Sequence, residues 1–357
     1  MNKNTTYYSS QIGIWYLSWW SHENDSPSYL HWEREAGAIS VEFGEYDSDD
    51  KNVLNSHLDW FVRAGIDYIV FDCTNWWNVD GGVIARNIDI MTQLIDSRKE
   101  GNAPKYCFAI GGELRSGHLD DHNVLVEMIW AKYCQRPMYY KWKDKPLLIN
   151  FTDKEYFYWD NDKFSVRYSI GGTSLGVDSE YVKEKGLWGW AFDAQVPNSE
   201  VYGITPGHDA NHLWIKPGDE WDFSRGEHGS RYINEWLNAI KADRPTIVIS
   251  SYNDFSEETA IEASIPKINS EGYSSELWTD YYGNPSPYWY EDITKAYIAL
   301  KHGFLEGYTY REENKPDIYL YKDNELCTID RPIANKPIII IPSGYKEWYF
   351  NKNIMEN

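Results

Sequence analysis

The sequence contains no CxxC pair. Its four cysteines, Cys73, Cys107, Cys134 and Cys327, lie far apart, which argues against a zinc knuckle or a disulfide framework and favours free thiols. No apolar run approaches the roughly 18 residues that a membrane-spanning helix needs, so no span is expected. The N-terminal stretch MNKNTTYYSSQIGIWYLSWW has no uninterrupted apolar core and no small-residue cleavage site. As written, the chain reads as cytoplasmic, or as periplasmic or secreted where a signal was removed before Met1. Basic residues are scarce: 34 Lys and Arg against 55 Asp and Glu give a formal charge of −21. That balance argues against nucleic acid and anionic membrane surfaces as partners. No GxGxxG or P-loop pattern is present, and no cofactor is implied.

What is abundant is aromatic. Trp, Tyr and Phe make up 17% of the chain, with 18 Trp and 29 Tyr. A flat apolar face with a polar edge suits the CH faces and hydroxyl rims of sugars, although part of the surplus is packing.

Apolar, β-rich runs alternate with helical patterns. Strands are expected at 12–20, 66–74, 105–112, 145–151, 164–170, 187–192, 200–205 and 245–252, from runs such as IDYIVFDCT and PTIVISSY. Helices are expected at 49–65, 82–98, 120–133, 229–241 and 290–303. Eight strands alternating with helices predict a (β/α)8 TIM barrel over residues 1–304. Residues 305–357 carry a further β-rich run, PIIIIP, and are expected to form a small C-terminal β-rich appendage.

Catalytic groups of such barrels sit at the C-terminal ends of the strands. There the sequence offers Trp19, Trp20 and His22 after the first strand, and Asp72, Asn75, Trp76 and Trp77 after the second. Glu113 follows the third, His208 and Asp209 the seventh, and Asn253, Asp254 and Glu257 the eighth. The bland reading of the last group is a solvated acidic turn, with Ser251 and Ser256 capping a short helix whose first turn favours acids.

The stretch SYNDFSEETAIEAS (251–264) resembles SFNEWHEGTQIEPA at the last barrel strand of glycoside hydrolase family 99, the endo-α-mannosidases and endo-α-mannanases. Other segments resemble that family in the same order: RAGIDYIVFDCTNWW, FAIGGEL, KDKPLLINF, VYGITPGHD and RGEHGSRYINEWLNAI. The likeness runs from about residue 12 to 300. It implies that Asp254 assists attack by a substrate hydroxyl and that Glu257 is the general acid and base. It also implies substrate contacts for Glu113, Asn75, Asn253, His208, Arg225 and the Trp pairs 19–20 and 76–77. The sequence departs from the family at Asp254, which is one methylene shorter than the family's Glu, and at Ser256, Glu258 and Leu114.

Glycoside cleavage needs one carboxyl protonated and another ionised, and two acids three residues apart at a strand end can face one cavity. Two other motifs carry less. GTSLG (172–176) matches the nucleophile elbow, but Gly176 and Asp178 suggest a loop where a helix should begin, so Ser174 is read as structural. HDANH (208–212) sets His208 and His212 four apart beside Asp209, with no third ligand, so no metal is assigned. The expectation is a glycoside hydrolase acting on a polysaccharide or glycan. The alternatives are a sugar transferase of capsule or lipopolysaccharide synthesis, and a catalytically weakened carbohydrate-binding protein.

Overall fold

The computed structural model describes residues 6–22, 32–75, 82–99, 101–152, 159–169, 183, 185–190, 196, 199–210 and 223–356. The first half of the chain supplies β1 (Gln11–Tyr16), β2 (Ala38–Ser40), β3 (Tyr68–Cys73), β4 (Lys105–Ile110), β5 (Lys141–Trp142), β6 (Lys145–Phe151) and β7 (Ser165–Ser169). The second half adds β8 (Val201–Ile204), β9 (Thr246–Ile249), β10 (Ser264–Pro266), β11 (Thr309–Glu312), β12 (Ile318–Lys322), β13 (Glu325–Ile329) and β14 (Ile338–Ile341). Seven strands form a curled parallel sheet in the order β7-β6-β4-β3-β1-β9-β8, with β5 antiparallel on β6.

The strands read as continuous apolar runs because helices cover one face and the sheet's own concave packing covers the other. The helix Lys51–Ala64 starts where the Asp50 side chain accepts the Asn52 N–H. It ends at Gly65, whose φ of 88° lets its N–H turn back onto Phe61. Helices Val83–Ser97, Leu119–Lys132, Ser230–Ala242 and Trp289–Ala299 come after β3, β4, β8 and β9 in the same alternation.

The segment 187–192 departs from expectation. Among its described residues only Leu187 pairs with the sheet, as a single bridge to Tyr168. The backbone then turns away, with Gly189 at φ 149° and Trp190 at φ 46°, neither compatible with a strand. Residues 188–190 instead span the concave side. The Trp15 indole donates to the Trp188 carbonyl, and the Trp190 N–H donates to Ser250 Oγ. The described sheet therefore has seven parallel strands, not eight.

A second sheet, in the order β13-β12-β11-β14, forms after residue 305. It packs on the helix Trp289–Ala299, where the Tyr297 hydroxyl donates to the Ile340 carbonyl. Strands β2 and β10 pair antiparallel. Much of the aromatic surplus goes into packing: Trp15, Trp20, Trp32, Trp188, Trp236 and Trp289 are fully buried.

Inside the curl, Tyr68 lies directly over Gly13. A Cβ at Gly13 would stand 2.3 Å from the Tyr68 ring, which is held by a hydrogen bond to Thr246 and by stacking on Tyr140 at 4.0 Å. With the ring fixed on two sides, Gly13→Ala should cost about 1–3 kcal/mol of overpacking. Chemical denaturation will measure it, and a variant as stable as wild type would mean that this ring is free to move.

Candidate functional site

Beyond β9 the chain turns back over the end of β1. The Tyr252 N–H donates to the Trp15 carbonyl. Asn253 then fastens the loop: its side chain accepts the Leu17 N–H at 2.9 Å and donates to the Leu17 carbonyl at 2.9 Å and the Tyr46 hydroxyl at 3.0 Å. Expected on the substrate, Asn253 is instead wholly buried, with its amide committed to the fold. Trp20 is likewise a packing residue. Its indole N–H donates to the Asn253 carbonyl, and its ring packs on Trp32 and Phe255.

The next residue organises the acidic turn. Asp254 Oδ1 accepts from the Ser256 hydroxyl at 2.6 Å, the Ser256 N–H at 3.1 Å and the Glu257 N–H at 3.0 Å. Its own N–H donates to Ser251 Oγ. These bonds tie the turn to itself; contrary to the bland reading, Asp254 is not solvated and no helix starts here. Only 1% of Asp254 is exposed. Burial, with the nearby Glu257 charge adding to it, pushes its carboxyl up to about 8.

Glu257 projects the other way, with 21% of its side chain exposed. Its Oε2 accepts the Trp190 indole N–H at 2.8 Å, and His208 Nε2 stands 3.6 Å away. Burial alone would raise this carboxyl, but the His208 and Trp190 contacts outweigh it and hold it below the ordinary glutamate value. Within the turn, Asp254 is thus pushed toward the protonated form and Glu257 toward the ionised one.

Two further acids stand at the same rim. Asp72 ends the inner face of β3 and accepts the Thr74 N–H at 2.9 Å. Burial raises it to about 6, and Glu257 adds its charge to that shift. Glu113 is buried on the short helix Gly112–Arg115, just past β4. The register pairing Cys73 with Ile110 places that helix beside the end of β3.

The remaining expected residues scatter. Trp19 is buried, and its indole nitrogen has no hydrogen-bond partner among the described residues. Asn75 is half-buried after β3. Arg225 is buried and lines the cavity described below, with part of its guanidinium tied to the fold. Its Nη2 donates to the Glu258 and Ala260 carbonyls at 2.7 and 2.8 Å, and its guanidinium lies over Trp278 and Tyr290. Trp76, Trp77, Ser174 and His212 lie outside the described residues. Glu262, matched by the motif, belongs to another buried network, accepting from the Tyr46 hydroxyl and lying 3.5 Å from His57. No group of three potential ligands for a metal occurs among the described residues.

A cavity of about 390 Å³ opens beside Glu257, lined among others by His208, Asp209, Glu258, Tyr273 and Glu276. His208 is common to the cavity and to the Glu257 contact, and the Asp209 N–H donates to the Glu257 carbonyl. Trp190 escaped the sequence reading, because nothing in LWGWAF says that its indole reaches a residue 67 positions further on. Asp72 carried a signal, a lone acid closing an apolar strand.

Solved structures that match include two of the GH99 endo-alpha-mannosidase from Bacteroides thetaiotaomicron, one of them in complex with bis-tris-propane. Sequence identity is 14% and 16%, the TM-score is 0.59 in both, and each match covers 84% of this chain and 97% of that chain. The fold is GH99-like. No family model and no curated protein matches the sequence. Identity this low speaks for the fold alone.

The charge arrangement makes a testable demand on stability. Asp254 sits near 3.8 when unfolded and at about 8 when folded. The unfolded chain therefore releases this proton first, and the folded state loses stability as pH rises from about 4 to about 8. Asn accepts the same three hydrogen bonds and does not titrate. Asp254→Asn should gain stability relative to wild type across that window in urea titrations, whereas parallel curves would show Asp254 ionised in the native state.

Proposed function

We propose that the protein is a glycoside hydrolase that cleaves a glycosidic bond within a polysaccharide or glycan, with endo-α-mannosidase-like action as the specific form. The observation that carries this reading is Glu257: an ionised, partly exposed carboxylate gripped by Trp190 and His208, at the rim of a curled parallel sheet and near carboxyls pushed toward protonation. Glycoside cleavage needs that division between an ionised and a protonated acid. The GH99-like fold supports it.

On this reading the seven described strands and the span 187–190 are parts of a (β/α)8 barrel formed by residues 1–304, and 305–357 is an extension packed on it. Glu257 receives the proton of the attacking group. Glu113, Trp19, Asn75 and His208 frame the sugar, with Trp76 and Trp77 as further stacking surfaces. The burial of Asp254 under its own turn favours one second reading, a carbohydrate-binding protein weakened in catalysis.

A panel of α-mannans and other glycans, incubated with and without nucleotide sugars, separates the readings. The expected result is new reducing ends without any nucleotide sugar, with Glu257→Gln lowering turnover by about 10²–10⁴-fold. Binding without cleavage would favour the weakened protein, and a requirement for a nucleotide sugar would favour a transferase.

A further inference from the structure

We infer that Asp72, rather than Asp254, is the carboxyl that works with Glu257, serving as the proton donor to the leaving oxygen. This assignment rests on the glycoside hydrolase reading and changes its pair of residues.

Position favours Asp72. The β1–β3 register pairs Trp15 with Val70, so these two share a face. Asp72, two residues on, shares it one step nearer the rim, because alternate strand residues face the same side. Trp15 is T-stacked on Trp190 with ring centroids 4.5 Å apart, and Trp190 holds Glu257 at 2.8 Å. Asp72 and Glu257 thus belong to one continuous inner surface.

Availability favours it too. Asp254 is 1% exposed against 6% for Asp72, and its Oδ1 lies under three donors of its own turn. Shielded in this way, it orders the loop and is a positioning residue. Asp72 accepts hydrogen bonds from the Thr74 N–H and the Thr74 side chain, and stands at the end of its strand rather than beneath a turn.

Charge points the same way. The titratable groups acting on Asp72 and its surroundings are Glu257 and Asp254 from the loop after β9, and Cys73 beside it, with Glu113 acting on Cys73 and His208 across Glu257. Burial and the Glu257 charge both favour the protonated form of Asp72, which sits at about 6, a useful value for an acid operating near neutrality.

The step then balances. The Asp72 proton passes to the glycosidic oxygen as the bond from that oxygen to the anomeric carbon breaks, and the bonding electron pair stays with the oxygen. Glu257 takes a proton from the water whose oxygen bonds to the anomeric carbon. Solvent afterwards returns a proton to Asp72 and removes the one on Glu257.

Leaving-group dependence tests the assignment. With a substrate from the glycan panel and its 2,4-dinitrophenyl glycoside, Asp72→Asn should lose about 10²-fold or more in kcat on the natural glycan. It should lose far less on the aryl glycoside, whose departure needs no proton. Glu257→Gln should impair both substrates alike, and Asp254→Asn should stay within tenfold of wild type on both. The wild-type profile should fall on its basic limb near pH 6, which serves as the test if Asp72→Asn does not fold; a limb near 8 would point to Asp254 and overturn the inference. Equal turnover by Asp72→Asn and wild type would also overturn it and leave the hydrolase reading standing. A wild type that cleaves no glycoside would remove that reading itself, and the inference with it.

Discussion

The amide of Asn253 holds the candidate site together. It bonds both backbone groups of Leu17, much as a strand partner would, and so extends the β1–β9 pairing past the point where the strands end. The acidic turn and its nearest neighbours hang from that fastening. The acidic turn begins at the next residue, the Trp20 indole closes on the Asn253 carbonyl, and the Tyr46 hydroxyl ties the same amide to Glu262. A buried amide can be satisfied in this way only when both its donor and its acceptor find partners. Asp or Leu at this position would leave Leu17 with an unpaired group.

The parallel strands were legible because strands covered on both faces must be apolar throughout, and IDYIVFDC, YCFAI and PTIVIS have few other readings. The run LWGWAF looked the same by composition and is not a described strand, because Gly189 and Trp190 take backbone angles that hydrophobicity does not encode. Strands β11 to β13 were missed for the opposite reason. Strands β12 and β13 are only partly covered, β11 is short, and all three mix polar with apolar side chains, so no apolar run announces them.

At the site, the sequence pointed to the right loop but could not sort its acids. Asp254 and Glu257 are three residues apart and look equivalent on paper. What separates them is that one carboxyl turns inward onto N–H groups of its own loop, while the other meets an indole and an imidazole contributed from far along the chain. Asn253 shows the converse: a polar side chain just past a strand end looks like a ligand contact until its hydrogen bonds are traced to Leu17 and Tyr46. The surplus of tryptophan misled in the same direction, since much of it fills the interior.

The ring of Tyr68, resting on Gly13 and stacked against Tyr140, gives the concave side a floor. Among the described residues this packing fills the foot of the concave side. On the hydrolase reading, a sugar unit would reach Glu257 from the rim side of the sheet.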